Sequence, residues 1–209
     1  GGIIALNRMC TNDIAEEINK VFVEIVLAPC FEPEALEVFK KKKNLRILEI
    51  GGFGKRIPKL EVRNIDGGIL VQDVDTKRLT QKNLTVVTGK QPSVEDIETA
   101  LFSWKVLRHA KSNGILIAKN NTTVGLGAGQ VSRVDAVHMA LRKGSENVKG
   151  SILASDAFFP FRDSIDAISS SGIRAVIQPG GSIRDQEVID ACNEYNIAML
   201  FTGQRCFKH

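Results

Sequence analysis

Apolar and polar positions along the chain alternate between two periods. Short runs of β-rich or wholly apolar residues are followed by stretches with apolar residues at helical spacing. Ile3–Leu6 reads as a strand. Thr11-Asn12-Asp13 offers a helix start, and Ile14, Ile18 and Val21 recur on one helical face. Val23–Ala28 is a strand stopped by Pro29; Glu32–Lys43 is a helix with Ala35, Leu36 and Phe39 on one side; Leu45–Ile50 is a strand closed by Gly51-Gly52. Leu60–Val62 and Gly68–Val74 read as strands around a Gly-bearing turn, and Thr85–Val87 is too short to assign. Ser93 opens an N-cap with acids in the first turn, so a helix is expected to about Lys111, with Ser112-Asn113-Gly114 as its stop. Ile115–Lys119 is continuously apolar, as in a sheet covered on both faces. Helices are expected over Val131–Lys143, Arg162–Ser170 and Asp185–Tyr195. They interleave with strands at Ser151–Ala154, Ala175–Gln178 and Ala198–Phe201. This alternation predicts an α/β protein with mostly parallel sheets. Gly, Lys and Pro cluster at Gly51–Lys59 and mark the expected boundary between two units, 1–55 and 56–209.

At 209 residues, 43% hydrophobic and 25% charged, the chain has a globular composition rather than a disordered one. No apolar run suits a bilayer span and no secretory leader pattern opens the chain, so no membrane association is expected. The first residue is Gly1, followed at once by an apolar strand; this predicts a chain beginning part-way into a longer protein, by truncation or proteolysis. Net charge is +4, with Lys40–Lys43 the one basic run, read as the solvated end of a helix; no nucleic-acid partner is expected. Cys10, Cys30, Cys192 and Cys206 form no C-x-x-C pair and have no His at ligand spacing, which argues against structural zinc and suits a reducing cytoplasm.

Four stretches can carry chemistry. Lys119–Arg133 contains a polar turn and then Gly125, Gly127 and Gly129 before a helix. The glycines suit either close ligand approach or tight turns and packing, and the dinucleotide fingerprint fails because the third Gly arrives one residue early. Ser155–Asp163 places three Phe and a Pro in a loop, either an apolar plug or a wall for a flat ligand. Gln178–Ser182 follows a strand at the carboxyl edge of a parallel sheet, where α/β proteins bind ligands. Thr202–His209 leaves the last strand at the same edge.

Together, K-N-x-x-x-x-G-x-G-A-G-Q-x-S-R, S-D-A-F-F-P-F-R-D, P-G-G-S and the terminal R-x-F-x-H resemble the transformylase half of the bifunctional transformylase and inosinate cyclohydrolase family. G-G-I-I-A-L and E-I-V-L-A-P add to the likeness, which runs through essentially the whole chain. The resemblance implies deaminase-like three-layer α/β/α units without zinc, and a cytoplasmic homodimer with shared active sites. It implies formylation of aminoimidazole carboxamide ribonucleotide by 10-formyltetrahydrofolate in purine biosynthesis. By the same resemblance, Asn120 is the catalytic amide. Arg205 holds the substrate phosphate, Phe207 lines the nucleotide pocket, and Glu24, where relatives can carry Asp, accepts from the substrate. Phe158, Pro160, Phe161 and Asp163 grip the folate, Ser182 assists, and Asp156 belongs to a potassium site. The family's Lys-His stretch and its cyclohydrolase domain find no match here, so the chain alone is expected to be inactive. Neither His109 nor His138 follows a Lys, and Lys208-His209 is the K-H of the terminal R-x-F-x-H. A non-catalytic nucleotide-binding or dimerisation module is the alternative, and a Rossmann-type oxidoreductase is disfavoured by the shifted glycines.

Overall fold

The computed structural model describes residues 1–52 and 60–208. Most of the expected boundary at Gly51–Lys59 therefore lies outside the described residues. By spatial grouping the chain forms two compact units, Gly1–Val74 and Asp75–His209.

The first unit holds three parallel strands in chain order, β1 (Gly2–Ala5), β2 (Val23–Ala28) and β3 (Arg46–Glu49). The helices α1 (Asn12–Asn19) and α2 (Pro33–Lys40) cross between them. Pro33 starts α2 because its missing N–H costs nothing in a first turn. Ala15, Ile18, Val26, Ala35 and Phe39 form the small core. A hairpin of β4 (Leu60–Ile65) and β5 (Gly68–Asp73) belongs to the same unit, and Gly67 turns it at φ +76°.

The second unit is a six-stranded sheet in the order β6-β11-β10-β9-β7-β8. Its strands are β6 (Thr85–Val86), β7 (Ile115–Lys119), β8 (Thr122–Gly127), β9 (Ile152–Ser155), β10 (Ala175–Gln178) and β11 (Ala198–Phe201). Parallel pairing is confined to β9–β10 and β10–β11; β6 is antiparallel to β11, and β7 is antiparallel to both β8 and β9. The expectation of a mostly parallel sheet is thus corrected to a mixed one here. For β8 the cause is local: Asn120 and Asn121 adopt φ +50° and +56°, a two-residue hairpin turn that makes β8 an antiparallel neighbour of β7. A parallel crossover needs a dozen or so residues.

Side chains alternate between two buried layers. Ile115, Ile117, Leu153, Val176 and Met199 face α4 (Arg133–Gly144), α5 (Asp163–Ile168) and α6 (Asp185–Glu194). Leu116, Ala118, Ala154, Ile177 and Leu200 pack with Ala100, Trp104 and Leu107 of α3 (Val94–Leu107). Ser93 caps α3 through Asp96 N at 3.1 Å, and the Asp96 carboxylate accepts from Ser93 N in return. The glycines at 125 and 127 are packing residues: a Cβ on either would stand 2.2 Å from Ala140 O or 2.0 Å from Ala136 O, inside α4. Their freedom is used to bring strand and helix together, which decides between the two readings of that stretch.

Candidate functional site

The parallel strands β9, β10 and β11 end together at one sheet edge, at Ser155, Gln178 and Phe201. Because β7 is antiparallel to β9, its beginning lies at that edge too, with Ile115 opposite Ser155. Four segments therefore meet there: Ser112–Gly114, Asp156–Arg162, Pro179–Ser182 and Thr202–Lys208.

Asp156 is fully buried at the centre of this edge. Its Oδ2 accepts from Ser112 Oγ at 2.6 Å and Gly114 N at 3.0 Å, and its Oδ1 accepts from the Arg133 guanidinium. Arg133, itself buried, also donates to Ser155 Oγ at 3.1 Å and to Asn113 Oδ1 at 2.9 Å. A buried pair holds only when its remaining hydrogen-bonding atoms are satisfied, and here the start of β7, the end of β9 and the first turn of α4 supply them. Cys206 N donates to Asp156 O at 3.1 Å, which ties the final segment to the same point. Burial, and then the charges of Asp156 and Asp75, push the Cys206 thiol up to about 12.

Around this centre stand the aromatic residues. Phe159 N donates to Oε1 of the buried Gln178 at 3.0 Å, and the Phe159 ring is part of the core. This residue is the apolar plug, whereas Phe158 and Pro160 are half-buried and Phe161 is exposed. Arg205 stacks its guanidinium 4.9 Å from the Phe158 ring centroid and 5.8 Å from that of Phe207, and has no ion-pair partner among the described residues. Arg184 lies 4.7 Å over Phe161. Arg162 anchors the far end of the loop through Asp166 at 2.9 Å and Glu194 at 2.9 Å; its hydrogen bond holds the Asp166 carboxyl below the usual range. Asp163 opens α5, exposed, with Oδ1 accepting from Ser164 N at 2.6 Å. Ser182 is half-buried, and its Oγ accepts from Arg184 N at 3.1 Å.

The edge thus gathers Asp156, Phe158, Pro160, Phe161, Asp163, Ser182, Arg205 and Phe207. It does not gather Asn120, which is exposed in the β7–β8 turn at the opposite end of the strands. Five residues of β7 separate the two ends, roughly 16 Å at about 3.3 Å per residue. Asn120 therefore stands apart from this edge. The asparagine at the site edge is Asn113: its Nδ2 donates to Gln130 O at 2.9 Å and retains a second N–H. Sequence reasoning passed over Asn113 because S-N-G also reads as a helix stop. Glu24 lies in the first unit, beside Phe22, Lys42 and Arg46.

Among the described residues, no group of three or more His, Cys, Asp or Glu side chains is placed to hold a metal, and no helix is long and apolar enough to cross a membrane. For potassium, Asp156 Oδ2 and Ser112 Oγ are an oxygen pair of fitting kind, while Asp156 Oδ1 is committed to Arg133.

Comparison with known proteins accords with these features. A family model described as AICARFT/IMPCHase bienzyme matches residues 1–143. The chain is 52% identical over 211 residues to the bifunctional purine biosynthesis protein PurH of Acetivibrio thermocellus, and 51% identical over 212 residues to that of Aquifex aeolicus. Both alignments take in 100% of this chain and 41% of the relative, so the chain spans about two fifths of the length of these relatives. Among solved structures, a dCMP deaminase from the cyanophage S-TIM5 is similar at 21% identity and a TM-score of 0.33, over 49% of this chain and 90% of that one.

Proposed function

This chain belongs to the AICARFT/IMPCHase bienzyme family, and on that premise we propose that its second unit carries nucleotide and folate half-sites of a formyltransferase acting in purine (IMP) biosynthesis. The substrates are aminoimidazole carboxamide ribonucleotide and 10-formyltetrahydrofolate. The observation that carries this reading is the convergence, at one sheet edge, of an aromatic loop with an arginine that has no ion-pair partner among the described residues.

In the reaction the substrate amine forms a bond to the formyl carbon, the bond from that carbon to the folate nitrogen breaks, the amine gives up a proton to an acceptor, and the departing folate nitrogen takes one up. The amine is weakly nucleophilic because its lone pair is delocalised, so alignment and stabilisation of the oxyanion are the demands on the protein. Arg205, held over the Phe158 ring, binds the substrate phosphate through paired N–H donors. Phe207 lines the nucleotide side. Phe158, Pro160 and Phe161 form a wall for the pterin, Asp163 accepts from its N–H edge, and Ser182 assists. The free N–H of Asn113 supplies the amide donor assigned to Asn120 from sequence. Asp156 Oδ2 and Ser112 would hold a potassium ion, whose charge would steady this edge. Glu24 is proposed to reach the substrate in the assembled enzyme, a homodimer with shared sites. The deaminase-like character of the units and a cytoplasmic location belong to the same reading, and the unpaired cysteines suit the latter.

The test is calorimetric titration of a full-length family member altered at the equivalent positions. Asp163→Ala is expected to weaken folate about ten- to a hundred-fold with nucleotide affinity kept, and Arg205→Ala the reverse, the scale of a charge-assisted hydrogen bond. Equal loss of both ligands in both variants would contradict the division of the site.

A further inference from the structure

A cavity of about 510 Å³ lies in the second unit beside the last turn of α3. Its walls are Lys77 and Arg78 from the segment before β6, and Lys105, Arg108 and His109 from the end of α3. Leu79 and Trp104, both largely buried, form its floor. Nothing in the formyl-transfer reading uses these residues.

The charge balance is what sets this cavity apart. Arg108 is neutralised: it pairs with Asp75 Oδ2 at 3.0 Å and reaches Lys77 O at 3.4 Å, which straps the segment to the helix. Lys77, Arg78 and Lys105 have no ion-pair partner among the described residues, and Asp75, the carboxylate nearest in sequence to Lys77 and Arg78, is already taken. A chain of net charge +4 thus places three uncompensated cations around one hollow. A helix C-terminus favours cations, which accounts for Lys105 and Arg108. It does not account for Lys77 and Arg78, which approach from a different segment. His109 registers the local field: burial first, then the charges of Lys208 and Arg108, hold its imidazole below the ordinary value. Like charges converging without partners raise the energy of the free protein, and a multiply charged anion removes that cost.

We propose that this cavity is a binding site for an oligophosphate, a chain of two or three linked phosphates either free or borne by a nucleoside. Several anionic groups in sequence match cations spread around a cavity of this size better than one anion does. The strap through Arg108 holds the two walls in place before ligand arrives, and Trp104 and Leu79 offer an apolar floor to a nucleoside.

The experiment is calorimetric titration of the whole chain with sodium tripolyphosphate and, separately, with adenosine triphosphate, at low and high salt. Binding is expected, weakening with salt as exposed charge pairing does. The double variant Arg78→Glu/Lys105→Glu is expected to lose about ten-fold or more in affinity, the scale of charged hydrogen bonds. The charge-matched control Lys41→Glu/Lys143→Glu, on exposed positions elsewhere, is expected to bind as the parent does. Both doubles alter exposed side chains, and an unchanged melting curve for each shows that folding is not the variable. Tighter binding of the nucleoside triphosphate assigns the floor to a nucleoside; equal binding assigns the site to the phosphate chain alone; either supports the proposal. Absence of tripolyphosphate binding overturns it. So does equal loss in both doubles, or binding abolished by Arg205→Ala and untouched by Arg78→Glu/Lys105→Glu, which would send the anion to the formyl-transfer site.

Discussion

The two units alternate strand and helix in the same way yet bury their sheets differently. In the second unit all four residues of β9 and of β10 are buried, between helices on both faces. In the first, β1 and β3 keep residues such as Ile3 and Leu48 exposed, and one cluster around Phe39 and Val26 forms the core. Strands fixed from both sides hold the loops at their ends in register, and it is at those ends that the aromatic loop, Arg205 and Asn113 meet. Double covering is what would suit the second unit to the alignment of two substrates proposed for it.

The sharpest way to break this contrast is to remove a charge from each unit. Asp156→Ala leaves Arg133 buried without its partner, which is expected to cost about 3–5 kcal/mol. In the first unit, Glu37→Ala opens only the exposed pair with Lys40, and exposed pairs are worth little. Urea unfolding followed by circular dichroism checks both; equal midpoint shifts would remove the distinction between the units. Next comes a methyl group. Gly127→Ala drives a Cβ into the backbone of α4 and is expected to cost about 1–3 kcal/mol, or more. Gly67→Ala meets open space and carries only the strain of its positive φ, about 1–2 kcal/mol. The same unfolding measurement ranks them, and Gly67→Ala as the costlier would show the strand–helix contact to be loose.

The smallest effect is carried by thiols. Burial pushes Cys192 and Cys206 up to about 12 from an ordinary 9.0. As pH rises through about 9 toward 12, the unfolded chain releases protons that the folded chain retains, so stability falls there and is unaffected below. At pH 8 a thiol reagent is expected to reach the half-buried Cys30 of the first unit promptly, and Cys192 and Cys206 only on unfolding. Prompt labelling of either buried thiol would show that the second unit opens readily.

Much of this was legible in the sequence because local signals and burial agreed. The capping pattern at Ser93, the mainly apolar run Ala175–Gln178 and the wholly apolar run Ala198–Phe201 form the elements they predict. What escaped was non-local. Thr122–Gly127 carries glycines that weaken a strand pattern, and their purpose is visible only once α4 lies across them. Strand direction decided the fate of the two asparagines. Asn113 and Asn120 flank one strand, and no local pattern tells which end of β7 stands beside β9's last residue. Arg205 stood out through the terminal R-x-F-x-H of the resemblance, while its seat on Phe158 depends on two strand ends brought together.

That strand direction provides the most direct test of where the chemistry lies. Asn113→Ala and Asn120→Ala are to be compared at the equivalent positions of a full-length family member, by following formyl transfer through folate absorbance. Asn113→Ala is expected to lower kcat by about a hundred- to a thousand-fold with little change in KM, the cost of losing one oxyanion donor. Asn120→Ala is expected to leave kcat near that of the parent. A large fall in kcat with Asn120→Ala, and none with Asn113→Ala, would place the reaction at the opposite end of the strands and contradict this account.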